Sequence, residues 1–322
     1  MKNTNSRVVV DLFCGAGGFS RGFKEIGFTI IFGIDNDSAC ARSFKMNFPE
    51  SVTIVEDIKE ISGDDISYFI NRKHIDIVIG GPPCEPFTGA NPRRYPDPLD
   101  RLYKDPIGRL TLEFIRLVGE LKPRIFVMEN VPAIMDNGLK NVLISEFKSI
   151  GYRNIYFNIL RAEDYGVPSH RVRVFISNVR IKPRKLKKRI TVMEALAGLP
   201  EPGSEHVPNH DLLELSPRKL RKISKVRWGR SLYLYEGARG RRFPNYIKLS
   251  PHRIAPTVLG SSRFIHPFEN RLLTVREQAR LMGFPDDHIF LGGRDQQYNQ
   301  VGEAVPPPLA KAIALYISQS LY

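Results

Sequence analysis

The fold class is decided by the stretch Val8-Val-Val-Asp11-Leu-Phe13-Cys-Gly15-Ala-Gly17-Gly18, close to the start of the 322-residue chain. An apolar run that ends in glycines predicts a strand buried on both faces, followed by a tight turn into a helix. Such a turn lets a ligand approach the backbone closely. The turn alone does not identify that ligand, because nucleotide, flavin and methyl-donor sites all use one.

Further β-rich runs follow as far as residue 178, and helical patterns separate them. The runs are Phe28–Asp35, Thr53–Asp57, Asp76–Gly80, Ile125–Glu129, Ile155–Leu160 and Arg173–Asn178. Leu110–Leu121 is the clearest helical segment, because its apolar residues recur at helical spacing until Pro123 stops the run. Alternating strands and helices predict an α/β fold with a doubly wound, mostly parallel sheet.

The alternation is lost after about residue 180, where proline, glycine and basic residues dominate up to about Pro256. Helical patterns return at Thr274–Met282 and at Pro308–Leu321. We therefore expect a catalytic and cofactor-binding domain over residues 1–179, completed by residues 286–322. A second, smaller and loop-rich domain should occupy residues 180–285.

The basic residues are concentrated in this second domain. Residues 180–253 contain 19 lysines and arginines against six aspartates and glutamates, so they carry most of the net charge of +14. Aromatic residues are interleaved with the basic clusters: Trp228, Tyr233, Tyr235, Phe243 and Tyr246. Positive charge beside aromatic loop residues favours a nucleic acid as the partner, with an acidic protein as the alternative.

The cysteines and the termini exclude several classes of protein. Cys14, Cys40 and Cys84 lack the clustered spacing of a disulfide framework or a structural zinc site, so no metal is expected. Residues 1–7 are polar and do not resemble a signal peptide, and no run approaches the roughly 18 apolar residues of a membrane span. These features predict a cytoplasmic protein, with Cys14 and Cys40 as small buried side chains.

Carboxylates close two of the predicted strands. Asp35 ends the second strand and is followed by Asn36, and Asp57 ends the third. A carboxylate at the first position can accept hydrogen bonds from ribose hydroxyls, and one at the second could meet an adenine amino group. Together with the glycine-rich turn they predict an adenosine-containing cofactor, either NAD or S-adenosylmethionine.

The fourth strand leads into the stretch Gly80-Gly-Pro-Pro-Cys84-Glu-Pro-Phe-Thr88. A cysteine just past the carboxyl end of a central strand lies where doubly wound sheets bind ligands. The following loop, residues 85–106, is rich in proline and arginine and is long enough to close over a substrate. The next strand ends in Met128-Glu129-Asn130, which places a carboxyl group at the same edge of the sheet.

Six ordered motifs resemble the cytosine C5-methyltransferase family. They are Phe13-x-Gly-x-Gly-Gly18, Gly81-Pro-Pro-Cys84, Glu129-Asn-Val131, Gly166-Val-Pro-Ser-His-Arg171-Val-Arg173, Arg271-Leu-Leu-Thr-Val-Arg276-Glu277 and Gln300-Val-Gly-Glu-Ala-Val305-Pro. The resemblance covers the chain except for roughly residues 180–250, which correspond to the variable target-recognition region of that family. It implies an S-adenosylmethionine-dependent, Rossmann-like methyltransferase fold with a small target-recognition domain.

The resemblance also implies the chemistry. Cys84 would add to C6 of a cytosine flipped out of double-stranded DNA, which makes C5 nucleophilic enough to take a methyl group. Glu129 would hydrogen-bond or protonate N3, and Arg173 together with Arg171 would orient the base. A basic neighbourhood supplied by these arginines would lower the pKa of the Cys84 thiol.

S-adenosylmethionine is the cofactor that the resemblance implies. The positions that match its binding site are Phe13, Gly15, Ala16, Gly17, Gly18, Asp35, Asn36, Asp57, Ile58, Pro83, Leu110, Glu303 and Ala304. The C-terminal helix should then pack onto the large domain.

The chain departs from the family pattern at Glu85, Ser169 and Glu303, where glutamine, glutamine and asparagine are usual. None of these changes removes a reacting group. A type that methylates transfer RNA is the nearest alternative, but its Cys-Phe-Thr signature is absent, since no cysteine follows Cys84. An inactive nucleic-acid-binding module is a second alternative. We expect a monomer, the modification enzyme of a restriction–modification pair; the sequence does not give the DNA target or show a partner endonuclease.

Overall fold

The computed structural model describes residues 7–71, 74–136, 138–204 and 206–320. Residues 1–6 and 321–322, which the expected domain boundaries and the polar N-terminal segment include, lie outside the described residues. None of the helices within these ranges is both long and apolar enough to cross a membrane.

Within the described residues, seven strands form the large sheet in the order β3-β2-β1-β4-β5-β7-β6. They are β1 (Val8–Leu12), β2 (Thr29–Asp35), β3 (Val52–Val55), β4 (Ile77–Gly80), β5 (Ile125–Asn130), β6 (Tyr156–Arg161) and β7 (Val172–Ser177). The first five pair in parallel, whereas β7 runs antiparallel to both β5 and β6. The predicted α/β class and mostly parallel sheet are confirmed. The strand order reverses between β1 and β4, the point where such sheets bind ligands.

Helices cover both faces of this sheet. They are α1 (Gly18–Lys24), α2 (Ser38–Asn47), α3 (Gly63–Phe69), α4 (Pro98–Tyr103), α5 (Leu110–Leu121) and α6 (Leu139–Ser149). Because β1, β4 and β5 are buried along their whole length, their sequences do not alternate and are apolar except at Asp11, Glu129 and Asn130. One core cluster lies on each face of the sheet.

The second lobe has little regular structure. Its elements are α7 (Val192–Leu196), α8 (Pro217–Ile223), β8 (Ser231–Glu236), β9 (Arg242–Lys248), β10 (Phe264–Ile265), α9 (Val275–Leu281) and α10 (Arg294–Glu303). Strands β8 and β9 form an antiparallel hairpin, and β10 pairs with β9 in parallel. Leu249, Val275 and Tyr298 share a third core cluster that also includes Ala16 from the glycine-rich turn. The division at residues 180 and 286 stays a prediction.

The last helix, α11 (Pro307–Ser320), packs against α1 as expected. The two backbones approach closely at Gly22, where a Cβ atom would lie 2.3 Å from the Lys311 amide nitrogen. Phe19 and Phe23 of α1 join Leu309 and other α11 residues in one core cluster. The C-terminal segment is thereby fixed beside the glycine-rich turn that precedes α1.

Gly22→Ala should lower the free energy of unfolding by about 1–3 kcal/mol, because the added methyl group has no room against the α11 backbone. Urea denaturation measures this change. Leu315→Ala is the matched control on the exposed side of α11 and should change stability by less than about 0.5 kcal/mol. Equal losses in the two variants would contradict the close approach.

Candidate active site

The glycine-rich turn after β1 is held in an unusual backbone conformation. Phe13, Gly15 and Gly17 have φ angles of 66°, 53° and 90°. Gly17 packs so tightly that a Cβ atom would lie 2.2 Å from the Phe48 ring. The fully buried His288 lies 2.8 Å through Nε2 from the Ala16 carbonyl oxygen, which fixes the turn from the other side. These contacts therefore hold the turn in one conformation.

Asp35, at the end of β2, is hydrogen-bonded to this turn. Its Oδ2 accepts a hydrogen bond from the Gly15 amide at 2.8 Å, and its Oδ1 accepts one from the Asp37 amide at 2.9 Å. Each oxygen keeps a lone pair for a further donor, such as a ribose hydroxyl. Burial is the main cause that raises the pKa of Asp35, against the effect of these amides. Asn36 follows it and is exposed.

The other expected cofactor positions differ in how far they are exposed to solvent. Asp57 accepts a hydrogen bond from the Lys59 amide at 3.0 Å and pairs with the Lys59 ammonium at 2.9 Å. An adenine amino group would therefore compete with Lys59 for this carboxylate. Ile58 is buried, Glu303 is exposed, and Pro83, Leu110 and Ala304 are half-buried.

Cys84 lies in a turn that β4 and β5 position. Strand β4 also lies so close to β1 that a Cβ atom at Gly80 would lie 2.2 Å from the Leu12 carbonyl oxygen. The Asn130 amide donates to the Pro82 carbonyl at 3.1 Å and so ties the turn to the end of β5. The Cys84 carbonyl accepts hydrogen bonds from the amides of residues 87 and 88 at 3.0 and 3.1 Å. Cys84 itself is half-buried.

Glu129 and Arg173 form a buried ion pair beside this turn, with 2.9 Å between Oε1 and Nε. The N–H of Arg173 is not directed at the oxygen, and Oε1 has no hydrogen-bond partner among the described residues. Oε2 lies against Gly81, where a Cβ atom would be 3.2 Å away. The carboxyl group is thus held next to Cys84 and keeps capacity to bond a ligand.

Comparison with known proteins agrees with this geometry. The family model described as C-5 cytosine-specific DNA methylase matches residues 8–319. The chain belongs to this family.

Curated relatives support the assignment. The chain is 50% identical over 317 residues to a Methanocaldococcus jannaschii protein named "Putative type II methyltransferase M.MJ0563P", covering 97% of this chain and 99% of that one. It is 32% identical to the type II methyltransferase M.DdeI of Desulfomicrobium norvegicum, covering 96% and 88%. As a member of the family, the chain is a DNA methyltransferase that acts on C5 of cytosine.

Solved structures show the same fold. A "putative DNA modification methyltransferase encoded within prophage" of E. coli superposes with a TM-score of 0.78 at 25% identity, covering 98% of this chain and 99% of that one. An Entamoeba histolytica methyltransferase reaches 0.71 at 16% identity, covering 99% and 100%, and supports the fold alone. The fold is that of S-adenosylmethionine-dependent methyltransferases, and the family and fold together imply use of that cofactor.

The expectation that basic neighbours lower the pKa of Cys84 was wrong in its net direction. Burial raises the pKa of the thiol, and the charges of Glu129 and Glu303 act in the same direction. Arg173 and, more weakly, Arg171 do lower it, but they do not outweigh burial. In this DNA methylase the resting Cys84 is therefore a neutral thiol.

Arg171 has an additional structural role that the sequence did not indicate. Its guanidinium is buried and donates from Nη1 to the carbonyls of Val258 and Gly302 at 3.1 and 2.9 Å, and from Nη2 to that of Glu303 at 3.3 Å. Nε has no hydrogen-bond partner among the described residues. Burial, and then the charge of Arg173, lower the pKa of Arg171, but a guanidinium stays protonated in proteins. Its contact with the base stays a prediction.

Ser169 joins the two lobes through the main chain. Its hydroxyl donates to the Leu281 carbonyl at 2.8 Å, and backbone hydrogen bonds of 2.8 and 2.9 Å link Ala255 to Pro168 and His170. Sequence reasoning assigned no role to Asn130, to His288 or to these joints. Asn130 could have been found from its place in the Glu129 motif, whereas His288 carries no local signal.

Alkylation of Cys84 by iodoacetamide should accelerate as the pH rises and continue to accelerate above the ordinary thiol pKa of 9.0, because burial disfavours the thiolate. Arg173→Gln should move this pH profile further upward, since a charge that stabilises the thiolate is lost. Arg173→Lys is the control that keeps the charge. Mass spectrometry of the Cys84 peptide gives the rates, and a pH-independent rate around neutrality would contradict a neutral thiol.

Arg171→Lys should lower the free energy of unfolding by about 2–4 kcal/mol, because one ammonium cannot serve three diverging carbonyls. Denaturant titration measures the loss. Arg184→Lys on the exposed surface is the control and should be close to neutral. A similar stability for both variants would show that the buried guanidinium does not hold the lobes together.

Proposed function

We propose that this DNA methyltransferase transfers the methyl group of S-adenosylmethionine to C5 of a flipped-out cytosine through a covalent bond between Cys84 and C6. The observation that carries the proposal is the convergence of three groups. The Cys84 thiol, the Glu129 carboxyl and the Arg173 guanidinium meet at the ends of β4, β5 and β7. A nucleophile, a hydrogen-bonding acid and a fixed cation are the groups that addition to a pyrimidine ring requires.

Cys84 first releases its thiol proton to solvent. Its Sγ then forms the bond to C6, and the electron pair of the C5–C6 double bond moves towards C5. Glu129 hydrogen-bonds or protonates N3, so that charge does not accumulate on the ring. Arg173 orients the base through its O2. After C5 has accepted the methyl group, solvent takes up the C5 proton and the electrons of the C5–H bond re-form the C5–C6 double bond. The Sγ–C6 bond breaks with its electron pair left on sulfur, and 5-methylcytosine is released.

The cleft residues fit S-adenosylmethionine, which when bound supplies an electrophilic methyl group. Gly15 offers an open backbone edge, since a Cβ atom there would meet nothing within 4 Å. Asp35 has lone pairs available for the ribose hydroxyls, and Asn36 adjoins them. Phe13, Ala16, Gly17 and Gly18 shape the turn; Asp57, Ile58, Pro83 and Leu110 would bound the adenine; and Glu303 and Ala304 would close the pocket.

Double-stranded DNA is the proposed substrate. The target cytosine must leave the helix to reach Cys84, at a cost of a few kcal/mol. Residues 180–285 form the proposed recognition domain, and their basic surplus suits the phosphate backbone. Because the compared relatives are named type II methyltransferases, we propose that the chain acts as a monomer paired with a restriction endonuclease.

Two assays with tritiated S-adenosylmethionine separate the possible substrates. Incorporation into duplex DNA is expected, and incorporation only into transfer RNA would overturn the DNA assignment. Incorporation into neither would favour an inactive binding module. Bisulfite sequencing of DNA from a host that expresses the protein then locates the methylated cytosine.

Cys84→Ala should abolish methyl transfer and the covalent complex with duplex DNA that contains 5-fluorocytosine. The variant lacks the thiol that adds to C6 of the base. Binding of S-adenosylmethionine, measured by calorimetry, should be unchanged. Cys40→Ala is the matched control and should keep both activities. Turnover by Cys84→Ala near that of the wild type would show that the nucleophile is another residue.

A further inference from the structure

Strands β8 and β9 form a hairpin in the proposed recognition domain, here called the recognition hairpin. Its tip contacts the loop that carries Cys84. Residues 237–241 connect β8 to β9, and the Ala238 amide donates a hydrogen bond of 3.0 Å to the Gly89 carbonyl. Gly89 lies five residues after Cys84 on the other lobe. The contact therefore joins the second lobe directly to the loop that carries Cys84, here called the catalytic loop.

Burial at the tip shows how close this contact is. The hairpin strands β8 and β9 contain only exposed and half-buried residues, yet Gly237 and Ala238 at their tip are buried. A Cβ atom at Gly237 would lie 3.0 Å from the Gly89 oxygen, which is tighter than normal packing. At Gly89 a Cβ atom would lie 3.7 Å from Arg241 Nη1, which is ordinary contact. A hairpin tip that would otherwise be open to solvent is thus covered by the catalytic loop.

The segment from Cys84 to Gly89 moves as a unit because hydrogen bonds connect its own residues. The Cys84 carbonyl accepts two amide hydrogen bonds, from Phe87 and Thr88, and the Phe87 ring is fully buried. Arg94 returns to this segment and donates from Nη1 to the Phe87 carbonyl at 3.0 Å. A displacement of Gly89 therefore moves a compact turn rather than a slack chain.

We propose that the Ala238 amide is a positioning group, through which the recognition hairpin sets the place of the Cys84 turn during methyl transfer. The inference rests on the proposed function, since it requires Cys84 to be the nucleophile. Addition to C6 needs the sulfur about 3–3.5 Å from the carbon and correctly aligned. A hairpin correctly seated on its DNA target then aligns the nucleophile, and the link couples target recognition to the chemical step.

Ala238→Pro removes this N–H with little change to the hairpin. Position 238 begins a short 3₁₀ helix, where proline is tolerated. Gly237 before it has φ −106° and ψ −162°, an extended conformation that a following proline permits. The hydrogen bond from the Gly237 amide to the Arg241 carbonyl, 2.7 Å long, remains available. Ala238→Ser keeps the N–H and is the matched control.

The test separates chemistry from binding. Single-turnover methyl transfer to duplex DNA carrying the site mapped by bisulfite sequencing should fall about tenfold in Ala238→Pro, while the Kd values for that duplex and for S-adenosylmethionine change less than about twofold. Ala238→Ser should behave like the wild type. Should the proline variant not fold, an ester in place of the Ala238 amide, introduced as lactic acid, removes the N–H without a ring.

Each outcome has one meaning. Equal losses in transfer rate and in DNA affinity would show that the tip only binds DNA, and wild-type behaviour of the variant would show that the contact is incidental. Either result overturns the positioning role. If the wild-type protein forms no adduct with 5-fluorocytosine DNA, the proposed function fails instead, so the two failures are distinguishable.

Discussion

The structure depends on one buried cation. The guanidinium of Arg171, the residue before β7, binds carbonyl oxygens of residues 258, 302 and 303 of the second lobe, the last two at the end of α10. A cation taken out of water must be surrounded by acceptors, or its burial would cost several kcal/mol. These two main-chain segments are therefore fixed relative to β7. Since β7 also carries Arg173, the same constraint fixes the end of α10 relative to the ion pair of Arg173 and Glu129.

The active site balances charge against burial. Arg173 favours the Cys84 thiolate, but its ion pair with Glu129 offsets part of that effect, and burial adds to the opposition. Neutralising the Glu129 carboxylate, as a proton shared with N3 would do, removes one of the charges that disfavour the thiolate. The charges of Glu129 and Cys84 are thereby coupled, although no hydrogen bond joins the two side chains.

Much of the framework could be predicted from the sequence, because continuous apolar runs identify strands buried on both faces. Leu110–Leu121 was predicted with its observed bounds, and the seven strands were placed within about two residues at their ends. The order of the motifs also predicted the family, which the family model confirms, whereas the roles of Cys84, Glu129 and the glycine-rich turn stay predictions. These features share a local signal, since each residue type follows a strand at a fixed spacing.

The remaining features depend on contacts between distant segments. His288 meets Ala16 across 272 residues, and the acceptors of Arg171 are carbonyl groups, which every residue carries. The pKa of Cys84 depends on how deeply its turn is buried, and the basic residues near it in the motif do not report that. The parallel pairing expected for most of the sheet was observed, but the antiparallel insertion of β7 between β5 and β6 follows from topology alone.

The joints between the lobes at Ser169, His170 and Ala255 have an evolutionary consequence. Ser169 and His170 bond to main-chain carbonyls across the boundary, and Ala255 returns a main-chain amide. Peptide groups do not change when side chains mutate, so these joints constrain the path of the backbone and leave the exposed side chains of residues 180–253 free to vary. Point substitutions can thus change the surface of the second lobe, while its backbone joints to the sheet remain intact. The same reasoning suggests that grafted recognition segments would be accepted where they reproduce this backbone path.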